Sequence, residues 1–228
     1  MKIKPIKFLR NIKRIILAPL MSVKAKRHLL VGPASLWKMK QDFQIKFLKE
    51  NGLLPIHKFI DIGCGTLRGG IPLINYLNTA NYYGIDVREE ALNEGKKGLE
   101  EEGLITKNPN LILFEDFRLL DLGVKFDVMF AFSVLFHLED SIAKSCFEFI
   151  ARHISDDGVF YANVNDKTQS EGKWLEFPVV YRGVEFYNEL AKDNNLTMQI
   201  IGTLKELGHI SNDDRGDLQV MLEFRKNC

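Results

Sequence analysis

The sequence predicts an α/β fold, a doubly wound and mostly parallel seven-stranded sheet behind an N-terminal helical extension. Three observations carry that expectation. From residue 59 onward, short strand-like runs alternate with helical patterns, the signature of right-handed crossovers. Phe126–Ser133 is a nearly continuous apolar run, as a strand covered on both faces requires. The first strand also opens into a glycine loop, Gly63-Cys64-Gly65, where such folds bind ligands.

The elements follow in order. Pro5 suits the first turn of a helix, and Phe8, Leu9, Ile12, Ile15 and Ile16 recur at helical spacing. Lys7, Arg10, Lys13 and Arg14 fill the gaps, and Pro19 ends the helix. A second helix is expected over Ala34–Asn51, where Leu36, Met39, Phe43, Ile45, Phe47 and Leu48 make a broad apolar face and Gly52 sits at the stop. Strands are expected at Phe59–Ile62, Tyr82–Val87, Leu111–Glu115, Phe126–Ser133, Val159–Val164, Met198–Ile201 and Leu218–Phe224. Helices are expected through Ile71–Leu77, Glu89–Glu102, Ser141–His153 and Val184–Asn194. With neither repeats nor a low-complexity linker, the chain divides into a basic arm and cap helix (1–57) and one main domain (58–228).

The 228 residues suit one α/β domain with an appendage, and 46% hydrophobic with 27% charged residues is ordinary globular composition. No run approaches the roughly 20 apolar residues of a membrane-spanning helix. Three scattered cysteines, 64, 146 and 228, form neither a disulfide framework nor a zinc site, so reduced thiols and a cytoplasmic location are expected. The net charge of +1 hides a polarised chain. Eleven of the 31 basic residues precede the first acid, Asp42, and the remainder is net −10. The arm reads as a basic amphipathic helix suited to an anionic membrane surface, giving peripheral contact with the inner face. Packing on the domain is the competing reading. An acidic body is the wrong sign for tracking nucleic-acid phosphates.

The segment after the first strand is the most informative. Gly63 and Gly65 let the backbone approach a ligand closely. A dinucleotide fingerprint needs glycine where Arg68 stands, which weakens a pyrophosphate reading. Asp86 ends the second strand, where an acid accepts from ribose hydroxyls. Glu115-Asp116-Phe117 ends the third, where a carboxylate accepts from an adenine amino group and a backbone N–H meets a ring nitrogen. These make an adenosine site without a phosphate cradle.

Asp61-Ile-Gly-Cys-Gly, Asp86, Glu115-Asp116-Phe117 and the run Phe126–Leu138 resemble, in order, the motifs of class I S-adenosylmethionine-dependent methyltransferases. The resemblance runs from about Lys58 to the last strand. It implies that Asp61, Gly63, Cys64, Gly65, Asp86, Val87, Asp116, Phe117 and Ser133 hold S-adenosylmethionine. One departure stands out: Leu67 occupies a position where many members have a third glycine, so the loop is expected to follow a slightly different path. The segment Val31–Gln44 followed by Cys-Gly-Thr-Leu-Arg-Gly-Gly also looks like a subgroup of small bacterial methyltransferases.

For chemistry, the nucleophile must be held in line with the methyl group and a hydroxyl must lose its proton. His137, just past the fourth strand, is the candidate general base; its competing role is a structural histidine. His209 and Arg68 are candidate substrate contacts. Trp37 and Gln44 either cover the cofactor or pack. Asn163, Asn165 and Asp166 follow the fifth strand, but Ser133 rather than an acid ends the fourth, so no metal is expected. The segment after the fourth strand lacks the Asn/Asp-Pro-Pro-aromatic signature of amino-methylating nucleic-acid enzymes and any Pro-Cys nucleophile. The favoured substrate is a small polar metabolite, such as a sugar hydroxyl. RNA or protein methylation, a nicotinamide oxidoreductase and a silent nucleoside-binding protein are the alternatives.

Overall fold

A computed structural model of the chain describes residues 27–165 and 172–227. The expected helix Pro5–Ala18, Asp166 and Cys228 lie outside them. The strands are β1 (Phe59–Ile62), β2 (Tyr82–Asp86), β3 (Asn110–Leu113), β4 (Phe126–Ala131), β5 (Ile154–Val164), β6 (Gly172–Trp174), β7 (Phe177–Val179), β8 (Leu196–Thr203) and β9 (Val220–Lys226). The helices are α1 (Trp37–Glu50), α2 (Gly70–Tyr76), α3 (Glu89–Glu101), α4 (Asp140–His153), α5 (Val184–Asp193) and the single turn α6 (Asp214–Asp217).

Seven strands form one sheet in the order β3-β2-β1-β4-β5-β9-β8. The pairs among β1 to β5 are parallel, and β9 runs antiparallel to both β5 and β8. Chain order reverses between β1 and β4, so the crevice at their carboxyl ends is the ligand position of a doubly wound sheet. Alternation along β4 explains its apolar run. Val128 and Phe130 face one core, with Phe43 and Phe47 of α1. Met129 and Ala131 face the other, with Phe147 and Phe149 of α4. The cap helix α1 therefore packs into the same core as β1 and β4.

The apolar positions of α1 that are buried are Trp37, Phe43, Phe47 and Leu48. Trp37 stacks on His28 with ring centroids 3.8 Å apart, which is packing. Arg27 anchors the start of the described chain to α3, with its guanidinium on Glu101 (2.7 and 2.8 Å) and Glu94 (3.3 Å).

The loop turns at Leu67 through a left-handed backbone conformation. Leu67 takes φ +60°, the conformation a glycine would supply. That costs a leucine about 1–2 kcal/mol. Its side chain is fully buried, a gain of about 1.5–3 kcal/mol. Room for it comes from two glycines: a Cβ on Gly70 would lie 2.8 Å from Leu67 Cδ2, and one on Gly95 2.9 Å from its Cγ. Packing of the buried leucine thus offsets the strain of the turn.

One element was not expected. β6 and β7 form a separate antiparallel hairpin, with Trp174 opposite Phe177. Its turn lacks the usual Asn-Gly or Gly pair, and Leu175 takes the positive φ of +53° instead.

Candidate functional site

The loop after β1 is tied to the end of β2. Gly63 and Gly65 take φ of +72° and +55°. The Gly63 and Cys64 amides donate to Ile85 O (2.8 and 3.1 Å), and the Gly65 amide donates to Asp86 Oδ2 (2.8 Å). Asp86 Oδ1 accepts from the Arg88 amide (2.9 Å). The Asp86 carboxylate is buried, and it shapes the loop as well as facing the cleft. Its remaining lone pairs are available to ribose hydroxyls.

Beneath the loop, Asp61 accepts from the Tyr82 hydroxyl (2.9 Å). Burial pushes the Asp61 carboxyl up to about 7; Tyr82 and Arg68 oppose the rise and the Asp86 charge adds to it. Burial likewise raises the Cys64 thiol, with the Asp61 and Asp86 charges adding, so it is a packed thiol rather than a nucleophile. Val87 is exposed on the cleft wall. At the end of β3, Asp116 is held by Arg118 through its amide (2.9 Å) and guanidinium (2.5–3.0 Å), which keeps it below the ordinary carboxylate range. Phe117 is buried on Phe114 and Phe149, at centroid distances of 4.6 and 5.6 Å.

Ser133, just past β4, is held at φ +62°. Its amide donates to Asn163 Oδ1 (2.7 Å), and Asn163 Nδ2 donates to Gln219 Oε1 (2.6 Å). This chain of bonds links the ends of β4, β5 and β9 across the crevice. Backbone strain at that point is characteristic of functional loops.

All nine expected cofactor residues except Val87 carry a polar tie, an acid or a positive φ, and all line one cleft of about 770 Å³. Arg68, His137 and His209 line it too. Arg68 donates from Nη1 to Val31 O (2.9 Å), while its buried Nε has no partner among the described residues. Burial lowers its guanidinium to about 10.

His137 donates from Nδ1 to Pro178 O (2.8 Å), since a carbonyl only accepts. It sits under the hairpin, 5.4 Å from Trp174 and 6.1 Å from Phe177. Burial lowers its pKa, and the Arg88 charge adds to the effect. His209 is 1% exposed, with Nδ1 2.9 Å from Asp217 Oδ1. It stands edge-on to Phe43 (5.2 Å).

Residues with no sequence signal complete the walls. Arg88 donates to Leu30 O (2.9 Å) and lies 5.7 Å from the Trp174 ring and 5.5 Å from Phe177. It thus spans from the N-terminal segment to the hairpin. Lys40 lies 5.9 Å from the Phe132 ring, and burial lowers its ammonium to about 8, with the Arg68 charge adding. Gln219 lines the cleft as well, and so does Gln44, which the sequence offered as a cofactor cover or a packing residue.

This donor set fits S-adenosylmethionine. Asp86 could accept from the hydroxyls of a ribose and Asp116 from an amino group, and Lys40 and Arg68 carry charge that would suit a carboxylate; all four line the cleft. No ring of amides is needed for a pyrophosphate. Bound there, the cofactor supplies an electrophilic methyl group.

Comparison with known proteins agrees. Residues 60–160 match the family profile described as a methyltransferase domain. Among curated proteins, none matches the sequence significantly. An S-adenosylmethionine-dependent methyltransferase from Clostridium acetobutylicum shares the fold at TM-score 0.63 and 16% identity, over 97% of this chain and 98% of that one. Magnesium protoporphyrin IX methyltransferase from Synechocystis, solved with bound S-adenosylmethionine, matches at TM-score 0.66 and 18% identity, over 94% and 97%. The glycopeptide N-methyltransferase MtfA matches at TM-score 0.61 and 13% identity, over 82% and 90%. The matched segment carries the glycine loop and the strands that flank it, the fold of S-adenosylmethionine-dependent methyltransferases is shared over nearly the whole length, and methyl transfer from S-adenosylmethionine is the activity that both findings support.

Proposed function

We propose that this enzyme methylates a hydroxyl of a small polar molecule, with a neutral imidazole in the cleft taking the proton. The observation that carries the reading is the roof. Arg88 joins the N-terminal segment to the Trp174–Phe177 hairpin, so the cleft is bounded on both sides. Its volume of about 770 Å³ suits a cofactor with a small co-substrate. A folded protein or a nucleic-acid strand would need an open groove.

Both cleft histidines support hydroxyl rather than amine chemistry. Each has Nδ1 facing an acceptor, which leaves Nε2 with its lone pair. An attacking hydroxyl gains from such a base, because its proton is lost as the oxygen bonds. Asp61, Gly63, Cys64, Gly65, Asp86, Val87, Asp116, Phe117 and Ser133 hold the cofactor, and the basic arm at 1–26 adds contact with an anionic membrane surface.

The test is transfer of a tritiated methyl group from S-adenosylmethionine to a cell extract separated into small-molecule, protein and RNA fractions. Label is expected in a small molecule as an ether that survives mild base, identified by mass spectrometry. Label confined to protein or RNA, or released by base as an ester, would overturn the reading.

A further inference from the structure

We propose that His209 is the proton acceptor of methyl transfer, oriented by Asp217, and that the acceptor hydroxyl lies against His209 beside Phe132 and Lys40. The proposal rests on the hydroxyl reading above and moves the base from His137 to His209. The carrying observation is an orphan. His209 Nε2 is buried and has no partner among the described residues, in a ring that lines the cleft. A buried ring nitrogen without a partner costs about 1–3 kcal/mol, which a bound hydroxyl would relieve by donating to it.

The ring is held from several directions. Asp217, 3% exposed, accepts from His209 Nδ1 (2.9 Å), the Ser211 amide (2.8 and 3.1 Å) and the Ser211 hydroxyl (2.7 Å). Phe43 and Phe132 stand 5.2 and 6.0 Å from the ring. The backbone is pinned as well: the His209 amide donates to Leu204 O (2.8 Å), and the Lys205 amide to Asp217 O (2.8 Å). This is a base with an orienting carboxylate, fixed before substrate arrives.

His137 is built differently. Its Nδ1 partner is a neutral carbonyl, and its charged neighbour is the Arg88 guanidinium. The carbonyl favours an imidazolium only as a neutral dipole, and the Arg88 charge opposes one. His209 faces Asp217 from α6, whose charge favours one, and Lys40 from α1 and Arg68 from the loop after β1, which oppose it. Asp213 is engaged by Arg215. Burial comes first among the causes that hold His209 below its ordinary pKa, so the ring is neutral and ready to accept at pH 7. His209 also stands beside Phe132, the residue before Ser133, on the β4–β5–β9 side of the crevice. That is across the crevice from Asp86 and Asp116, which end β2 and precede Arg118 after β3.

In the step, a lone pair of the acceptor oxygen forms the new bond to the methyl carbon. The pair of the broken carbon–sulfur bond stays on sulfur, which loses its positive charge. The hydroxyl proton passes to His209 Nε2 and from there to water. Asp217 accepts no proton; it is a positioning residue.

The test compares His209→Gln, Asp217→Asn and His137→Gln in the full chain. Labelled transfer to the small-molecule fraction is read against pH, with S-adenosylhomocysteine affinity by calorimetry and imidazole ¹⁵N NMR. His209→Gln should lose about 10²–10⁴-fold in rate with S-adenosylhomocysteine affinity kept. It should also abolish the acid limb, which His137→Gln should leave in place whatever its effect on rate. NMR should show His209 protonated on Nδ1, with a titration that Asp217→Asn displaces. If His209→Gln misfolds, Asp217→Asn carries the test, since the ring remains and its tautomer and acid limb move. Transfer by His209→Gln within about tenfold of wild type, an acid limb lost with His137 instead, or a proton on Nε2 would overturn the proposal. Wild-type label found only in protein or RNA would overturn the hydroxyl reading itself. Wild-type label in a small molecule that persists in His209→Gln would overturn this assignment alone.

Discussion

Replacing Asp86 with Ala tests whether the glycine loop is held by a residue that also lines the cleft. Two backbone amides, Gly65 and Arg88, donate to its two oxygens at 2.8 and 2.9 Å. A hydrogen bond to a charged group contributes about 1.5–3 kcal/mol, and alanine removes both acceptors. Part of the loss is offset, because the Asp86 charge raises its buried neighbour Asp61. A net cost of about 3 kcal/mol is a fair expectation. For a chain of this size that lowers Tm by roughly 6–12 °C. Asp86→Asn keeps one carbonyl oxygen as an acceptor, so it should lose about half as much stability. Both variants should bind S-adenosylhomocysteine more weakly in calorimetry, since both lose the charged acceptor for ribose hydroxyls. The discriminating measurement is the melting curve without ligand. If Asp86→Ala melts within about 2 °C of wild type, the two amide bonds do not hold the loop and the reasoning fails.

Two other perturbations follow from the same structure. The folded Asp61 carboxyl is raised from 3.8 to about 7, so its stabilising contribution is whole below pH 3.8 and is lost as pH rises to about 7. Asp61→Asn lacks that slope. The Tm of the variant should therefore gain on wild type across this window, and parallel profiles would refute the buried-carboxylate account. Deleting residues 1–26, which spares the Arg27 ion pairs, should abolish binding to phosphatidylserine vesicles at low salt. High salt should release the intact chain, and an intact chain that ignores the vesicles would assign the arm to another role.

The sheet was legible because periodicity is a local property. β1, β2, β4 and the helix Val184–Asp193 fall within one or two residues of their expected bounds. Others drifted where the apolar signal fades. β5 begins at Ile154, before its expected start at Val159, because the polar Ser155-Asp156-Asp157 continues the strand past a register shift against β4. β9 begins at Val220 rather than Leu218, since the single turn α6 occupies the preceding residues. The hairpin of β6 and β7 was invisible for a different reason. Three-residue strands show no alternation, and a Leu in positive φ carries no turn signal.

The site divides along the same line. Asp86 ends β2, and Gly63, Gly65 and Asp116 lie within three residues of the ends of β1 and β3, so finding the strands found them. His209 and Asp217 sit eight residues apart in an irregular segment. The link between them is Ser211, whose amide and hydroxyl fix the carboxylate, and nothing in the order of residues announces that bond. Lys40 is similar: on α1 it reads as one more surface cation, and only the packing of Phe43 and Phe47 into the core turns it toward the cleft. A histidine in a loop and a lysine on a helix are ordinary separately. Their chemistry arises because β9 returns antiparallel beside β5 and brings the preceding loop over the end of β4. The cofactor half of the cleft is thus encoded by residues next to strands. The wall around His209, where the proposed base lies, is assembled instead by tertiary contacts between distant segments, which no local motif marks.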